Sequence, residues 1–150
     1  MTTRPSPDCP LCADDGGTLV ARARDWRVVL AAEPDYPAFT RVIWNAHVAE
    51  MSDLDAADRA VLMRVVLVVE QVQRALLAPD KVNLASFGNL VPHLHWHVIP
   101  RWRDDRHFPE SVWGRATAGR DAAVEARRAS VAARLPTYLD ALARMLHPAA

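Results

Sequence analysis

The sequence predicts an α+β fold in which helices pack on one antiparallel sheet. Strand-like segments follow one another closely along the chain, and strands joined by short turns pair antiparallel. Long helical periods occur at only two places. With 150 residues, 51% of them hydrophobic, the chain has the size and composition of one domain. We therefore expect a single domain over residues 1–150, with an N-terminal arm at 1–17 and a C-terminal helical extension at about 119–147.

Five segments rich in β-branched and aromatic residues are predicted to be strands. They are Leu19–Ala23, Arg27–Ala31, Phe39–Trp44, Val82–Phe87 and His93–Ile99. Turn-forming residues lie between the first two segments and between the last two. The sequence thus predicts two hairpins with a third strand between them.

Two long helices complete the predicted fold. Ser52 and Asp55 have the spacing of a capping box, and apolar residues then recur at three- and four-residue steps until Pro79 ends the helix. The second helix is predicted from Arg120 to Met145, in a segment rich in Ala and Arg.

The charge balance excludes some partners. Eighteen basic residues match eighteen acidic ones, whereas binding of long nucleic acid needs clustered Lys and Arg. A small phosphorylated ligand needs only a few local donors. No segment has the length of a membrane span, and the polar stretch Met1–Pro10 is not typical of a signal peptide. We expect a cytoplasmic protein without nucleic-acid or membrane partners.

The most informative segment contains the alternating histidines His93, His95 and His97. Alternate side chains of a strand lie on one face, so the three imidazoles would form a row while the apolar residues between them pack on the other face. A chance run, a plain metal site and a catalytic site are all open interpretations. If the site is catalytic, the row of imidazoles is suited to phosphoryl transfer, because a neutral imidazole can attack phosphorus while its neighbours stabilise charge on the phosphate oxygens.

The pattern His-apolar-His-apolar-His-apolar-apolar at residues 93–99 resembles the signature of the histidine-triad family. The resemblance extends over roughly residues 9–103 and is nearest to bacterial members related to diadenosine polyphosphate hydrolases. It implies a histidine-triad fold, usually a homodimer, and a central histidine that attacks the α-phosphate of a nucleotide to form a nucleotidyl-histidine. By this resemblance His95 is the nucleophile, and His97 contacts phosphate and helps to place it.

The residues before the triad depart from the family pattern. Many relatives carry Gly-Gln-Ser or Gly-Gln-Thr where this chain has Gly88-Asn89-Leu90. Asn89 can replace the glutamine amide, but Leu90 lacks the hydroxyl that helps to protonate the leaving group in some members. Asn83 resembles a position whose amide contacts substrate, the alternative being a strand residue satisfied by backbone. Asn83 and Asn89 are the predicted substrate-binding residues.

Two features after the triad have a purely structural interpretation as well as a functional one. The arginines of the segment 101–108 could steer phosphate, but the acidic residues among them favour a self-neutralising charged loop. Trp113 either closes a pocket or simply packs.

Cys9-Pro10-Leu11-Cys12 has the spacing of a zinc knuckle or a redox pair. No βαβ pattern of the thioredoxin type follows it, which disfavours the redox interpretation. Some bacterial histidine-triad proteins, and the related galactose-1-phosphate uridylyltransferases, hold zinc between two cysteines, a histidine after the third strand and the first triad histidine. The resemblance therefore implies a structural zinc ion on Cys9, Cys12, His47 and His93, with free thiols as the alternative.

The expected function is nucleotidyl hydrolysis or transfer on nucleoside phosphoramidates or dinucleoside polyphosphates. One alternative is a nucleotide-binding or zinc-stabilised interaction protein with little turnover, which the apolar Leu90 favours. Another is a transferase with a specific acceptor. The family resemblance also implies a homodimer, for which the apolar faces of the first long helix and of the strand Val82–Phe87 are compatible surfaces.

Overall fold

The computed structural model of the protein describes residues 5–147, so the first four residues of the arm and the last three of the chain lie outside it. The strands are β1 Thr18–Arg22, β2 Trp26–Leu30, β3 Thr40–Trp44, β4 Lys81–Ala85 and β5 His95–Arg101. The helices are α1 Pro10–Ala13, α2 Ala56–Leu77 and α3 Asp121–Leu146, with a 3-10 turn at Met51–Asp53. The predicted α+β class is confirmed.

The five strands form one antiparallel sheet in the order β1-β2-β3-β5-β4. In the β3–β5 pair, Arg41 lies opposite His97 and Ile43 lies opposite His95. Because side chains alternate, these residues share one face of the sheet. Val42 and Val98 alternate with them and belong to the core formed with the helices.

Polar contacts fix both long helices on the sheet. The fully buried Gln73 of α2 donates to the carbonyls of Ala38 and Val98. The Tyr138 hydroxyl of α3, also fully buried, lies 2.7 Å from Thr40 Oγ1. Among the described residues, no helix is both long and apolar enough to cross a membrane.

Two predicted boundaries were wrong. Ser52 does not begin α2: Asp55 is its N-cap and accepts from Asp58 N at 2.8 Å, while Ser52 lies within the 3-10 turn. The triad strand begins at His95 rather than His93, since the His93 N–H donates to the Val91 carbonyl at 2.8 Å in a tight turn. Pro79 follows the end of α2, as predicted.

Asp105 is the centre of a buried network in the loop after β5. Its carboxylate accepts from Arg101 Nε at 2.7 Å and from the N–H groups of His107 and Phe108 at 3.0 and 2.8 Å. Burial alone would raise the pKa of Asp105, but these hydrogen bonds hold it below its ordinary value. The ionised carboxylate therefore stabilises the fold, and the contribution is lost in acid as the pH falls through the depressed pKa.

We expect Asp105→Asn to lower the free energy of unfolding at pH 7 by ~3–5 kcal/mol, because it leaves the buried Arg101 without its counter-charge. Urea denaturation at pH 7 measures this loss. Asp104→Asn is the matched control: its partner Arg127 is partly exposed, so the change should cost less than ~1 kcal/mol. Equal losses in the two variants would contradict the assignment.

Candidate active site and metal centre

The face of the sheet that carries Arg41, His95 and His97, called the cleft face below, lines a cavity of about 880 Å³. Its floor includes His95, His97 and Arg41, and the N-terminal arm, the β4–β5 loop and the loop after β5 form its walls. The wall residues include Pro10, Leu11, Asp14, Gly16, Gly17, Phe87, Gly88, Asn89, Leu90, Val91, Ser111 and Trp113. The first triad histidine, His93, is not among the lining residues.

His95 has the protonation state that a nucleophile needs. Its Nδ1 lies 2.6 Å from the His93 carbonyl oxygen, which can only accept, so Nδ1 donates and Nε2 keeps its lone pair. Burial lowers the pKa of His95, and the positive charge of Arg41 lowers it further, whereas the carbonyl contact opposes them. The imidazole is therefore neutral near pH 7 and fixed in one tautomer.

His97 packs edge-on against His95, with ring centroids 4.8 Å apart and planes at 88°. Burial, followed by the charges of His95 and Arg41, lowers the pKa of His97 to about 3. Phe39 and Trp113 contact its ring at centroid distances of 5.3 and 5.2 Å. Its Nδ1 is buried and has no hydrogen-bond partner within residues 5–147.

Arg41 is a cavity-lining residue that sequence reasoning missed. It is the only arginine or lysine among the described residues that line the cavity. The available signal was a charged residue inside the predicted strand Phe39–Trp44, next to the apolar Val42 and Ile43. In the structure both of these neighbours are fully buried. Its position beside His97 could be recognised only from the pairing of β3 with β5, which the sequence does not give.

The predicted substrate residues lie in different surroundings. Asn89 lines the cavity, and Leu90 beside it is 97% exposed. Asn83 does not line it, and its Oδ1 accepts from Arg101 Nη1 at 2.7 Å.

The arginines at the end of β5 and in the loop after it pair with carboxylates, but the expected self-neutralising loop is not what forms: the one pair within residues 101–108, Arg101 with Asp105, is buried, and the other two arginines use partners outside the segment. Arg101 pairs with Asp105, Arg103 with Asp80, and Arg106 with Asp35 and Asp121. By contrast, Trp113 does more than pack, because it is 52% exposed and forms part of the cavity wall.

The four predicted metal ligands come together. Ligand atoms of Cys9, Cys12, His47 and His93 all lie within 4.8 Å of one another. Cys9 Sγ and Cys12 Sγ lie 3.4 and 3.6 Å from His93 Nδ1, Cys12 Sγ lies 3.4 Å from His47 Nδ1, and the two Nδ1 atoms are 3.3 Å apart.

These distances suit a tetrahedral cation. Zn–N and Zn–S bonds of about 2.0 and 2.3 Å at tetrahedral angles give N···N and N···S edges of about 3.3 and 3.5 Å. His93 Nε2 lies 2.7 Å from the Trp44 carbonyl, so Nε2 carries the proton and Nδ1 presents its lone pair to the cluster. The donor set is therefore prepared to hold a metal ion.

Arg27 holds the arm that carries the two cysteines. This guanidinium is buried and donates to the carbonyls of Leu11 and Asp15 at 2.6 and 3.0 Å. Leu11 also lines the cavity, so the metal cluster and Arg27 together position one wall of the cleft. Sequence reasoning missed Arg27, whose partners are backbone oxygens of the arm and the side-chain oxygen of Asn45, which no motif records.

Comparisons with known proteins agree with this fold and site. The HIT domain model matches residues 16–104. A relative from Mycobacterium tuberculosis, named AP-4-A phosphorylase, is 32% identical over 117 residues, which are 74% of this chain and 60% of the relative. The chain thus spans about 60% of the length of that relative.

Solved structures of histidine triad proteins have a similar fold. A histidine triad protein from Marinobacter aquaeolei VT8 is 26% identical, with a TM-score of 0.66 over 88% of this chain and 94% of that one. A histidine triad family protein from Mycobacterium smegmatis, described as Zn-bound, is 23% identical, with a TM-score of 0.55 over 87% and 96%. The family model matches more than half of the chain, and the chain therefore belongs to the HIT, or histidine-triad, family.

Proposed function

We propose that the protein is a nucleotidyl hydrolase or transferase that acts on dinucleoside polyphosphates or nucleoside phosphoramidates through a nucleotidyl-histidine on His95. The observation that carries the proposal is the 2.6 Å contact of His95 Nδ1 with the His93 carbonyl. It leaves Nε2 as an unprotonated nucleophile at the floor of a cleft large enough for a nucleotide.

The remaining predicted residues receive roles in the same reaction. His97 contacts the phosphate under attack and helps to orient His95, consistent with their 4.8 Å ring separation. Asn89 binds substrate from the rim of the cleft. Asn83 is assigned to substrate binding as well, although its Oδ1 already accepts from Arg101.

Trapping of the intermediate tests the proposal. The protein is mixed with diadenosine tetraphosphate or adenosine phosphoramidate labelled in the adenosine, quenched, and analysed by mass spectrometry after proteolysis. We expect an adenylyl group on the peptide that contains His95. Nucleotide binding without any labelled peptide would instead favour a binding protein with little turnover, the alternative supported by the exposed Leu90.

The acceptor that resolves the intermediate decides between hydrolysis and transfer. The name AP-4-A phosphorylase of the relative supports dinucleoside polyphosphates as substrates and inorganic phosphate as a candidate acceptor. Chromatography of the products with and without phosphate distinguishes the two: water as acceptor gives AMP, and phosphate gives ADP.

We also propose that the Cys9, Cys12, His47 and His93 cluster holds one structural zinc ion, with the protein working in the reducing cytoplasm. The donor distances and the proton on His93 Nε2 support this choice. Zinc there would fix the N-terminal arm and the turn before β5, and would leave only His95 and His97 of the triad for chemistry. The zinc-bound relative from Mycobacterium smegmatis shares the fold.

We propose a homodimer as the assembled form. β4 is an edge strand of the sheet, and Leu67 of α2 and Leu84 of β4 are 44% and 37% exposed, so an apolar surface remains to be covered. Light scattering at micromolar concentration is expected to give twice the mass of one chain. A monomer at that concentration would refute this proposal.

A further inference from the structure

We propose that Arg41 binds the leaving phosphate chain of the substrate, so that the site selects dinucleoside polyphosphates over nucleoside phosphoramidates. This inference rests on the proposed function, because it concerns the group that departs when His95 attacks. It makes Arg41 a determinant of the substrate class.

The sheet places Arg41 next to both histidines of the cleft. Arg41 lies opposite His97 in the β3–β5 pair, one pair along from Ile43 and His95. Its side chain lines the cavity together with both imidazoles. A phosphate next to the one that His95 attacks would therefore come within reach of this guanidinium.

The guanidinium keeps donors for a ligand. Of its five N–H groups, one on Nη1 donates to the Gly16 carbonyl at 3.1 Å. The buried Nε–H has no partner among the residues that the structure describes. Glu33 Oε1 is 3.8 Å from Nη2 and 43% exposed, which is a weak solvated pair. A phosphate, which accepts two parallel N–H bonds from Arg, satisfies these donors better.

Arg41 carries the only Lys or Arg charge among the described residues that line the cavity. Arg101 at the end of β5 and Arg106 in the loop after it each hold a carboxylate at 2.7 Å, and Asp14 is the acidic residue among the described lining residues. An anionic chain therefore gains its charge contact in this cleft from Arg41.

The reaction explains why this charge selects the leaving group. His95 Nε2 forms a bond to the α-phosphorus, and the bond from that phosphorus to the bridging oxygen breaks. The electron pair stays on the departing phosphate oxygen, which leaves as an anion and needs no proton. Water then forms a P–O bond as the P–N bond breaks, and its proton passes to solvent, which restores neutral His95.

A phosphoramidate places a different demand on the site. Its P–N bond breaks to release an amine, which must take up a proton as it leaves. Leu90, next to the triad turn, is 97% exposed and has no proton to give, and the buried ring of His97, enclosed by Phe39 and Trp113, has a lowered pKa. The cleft thus offers charge stabilisation for a phosphate leaving group, and little acid for an amine.

The test compares two substrates that share the adenylyl group. The ratio of kcat/KM for diadenosine tetraphosphate to that for adenosine phosphoramidate is measured for the wild-type protein, Arg41→Gln, Arg41→Lys and Arg128→Gln. We expect Arg41→Gln to lower this ratio at least ~30-fold. Arg41→Lys should restore part of it, because Lys keeps the positive charge but cannot donate two parallel hydrogen bonds to one phosphate. Arg128→Gln, which removes a surface arginine of α3 paired with Glu125, should leave the ratio as in the wild type.

An equal fall for both substrates, or an unchanged ratio in Arg41→Gln, would overturn the inference. If the wild-type protein turns over neither substrate, the proposed function fails, and calorimetric titration with tripolyphosphate decides the inference about Arg41. Binding by the wild type that weakens at least ~10-fold in Arg41→Gln supports a phosphate-chain site. Absent or equal binding rejects it.

Discussion

Replacement of His95 by Ala is expected to lower kcat for diadenosine tetraphosphate by about four orders of magnitude or more, because it removes the proposed nucleophile. The variant should still fold, since the His95 side chain lies on the cleft side of the sheet, whereas the hydrophobic core packs between the sheet and the helices. Steady-state rates with this substrate, together with circular dichroism and a melting curve, measure both effects. The nucleotidyl-enzyme should disappear from the quenched reaction.

Two comparisons make this result specific to His95. His147→Ala removes another histidine, which stacks on Trp26 at the end of α3, and should leave the rate within about threefold of the wild type. Binding of AMP to His95→Ala should persist, because the cleft and Arg41 remain. Near wild-type turnover by His95→Ala would eliminate the covalent mechanism.

The second large effect concerns the metal centre. The double change Cys9→Ser and Cys12→Ser is expected to reduce bound zinc from one equivalent to less than about a tenth. We expect the melting temperature to fall by ~10 °C, the size of shift that a loss of ~3–5 kcal/mol gives in a domain of this length. Elemental analysis of protein purified without chelator or histidine tag, and a melting curve, measure these changes.

The loss of the cysteines should affect activity indirectly, through the arm and through the turn that carries His93. Hydrogen exchange over residues 5–17 should rise, because Arg27 alone would then hold the segment that forms a wall of the cleft. A chelator should have the same effects on the wild type and none on the double variant. A wild-type protein with less than about a tenth of an equivalent of zinc, full activity and unchanged melting would contradict the assignment.

Most of the fold could be predicted because its signals are local. Each of the five strands lies within two residues of its predicted position, since β-branched runs and turn residues mark strands wherever they occur. The start of β5 was placed two residues early because the turn of His93 onto Val91 uses a backbone N–H, which leaves no mark on side-chain alternation. Asp55 displaced Ser52 as the cap of α2, as both residue types suit that position.

The site could be predicted where one motif carries its residues, and not where separate strands bring them together. His95, His97 and the cysteine pair belong to short patterns with fixed spacing. Arg41 enters the cleft through the register of β3 against β5, a pairing between segments more than fifty residues apart. The arginines that did stand out in the sequence, after the triad, neutralise nearby carboxylates instead.

The group that sets the tautomer of His95 is a main-chain carbonyl, that of His93. In many enzymes a carboxylate does this for a catalytic histidine, and a single codon change can remove it. No substitution at position 93 deletes the carbonyl, although one can disturb the turn that aims it. The group that orients the proposed nucleophile therefore cannot be deleted by a point mutation. A mutation in this segment can change that orientation only indirectly, by altering the turn or the neighbouring metal ligands.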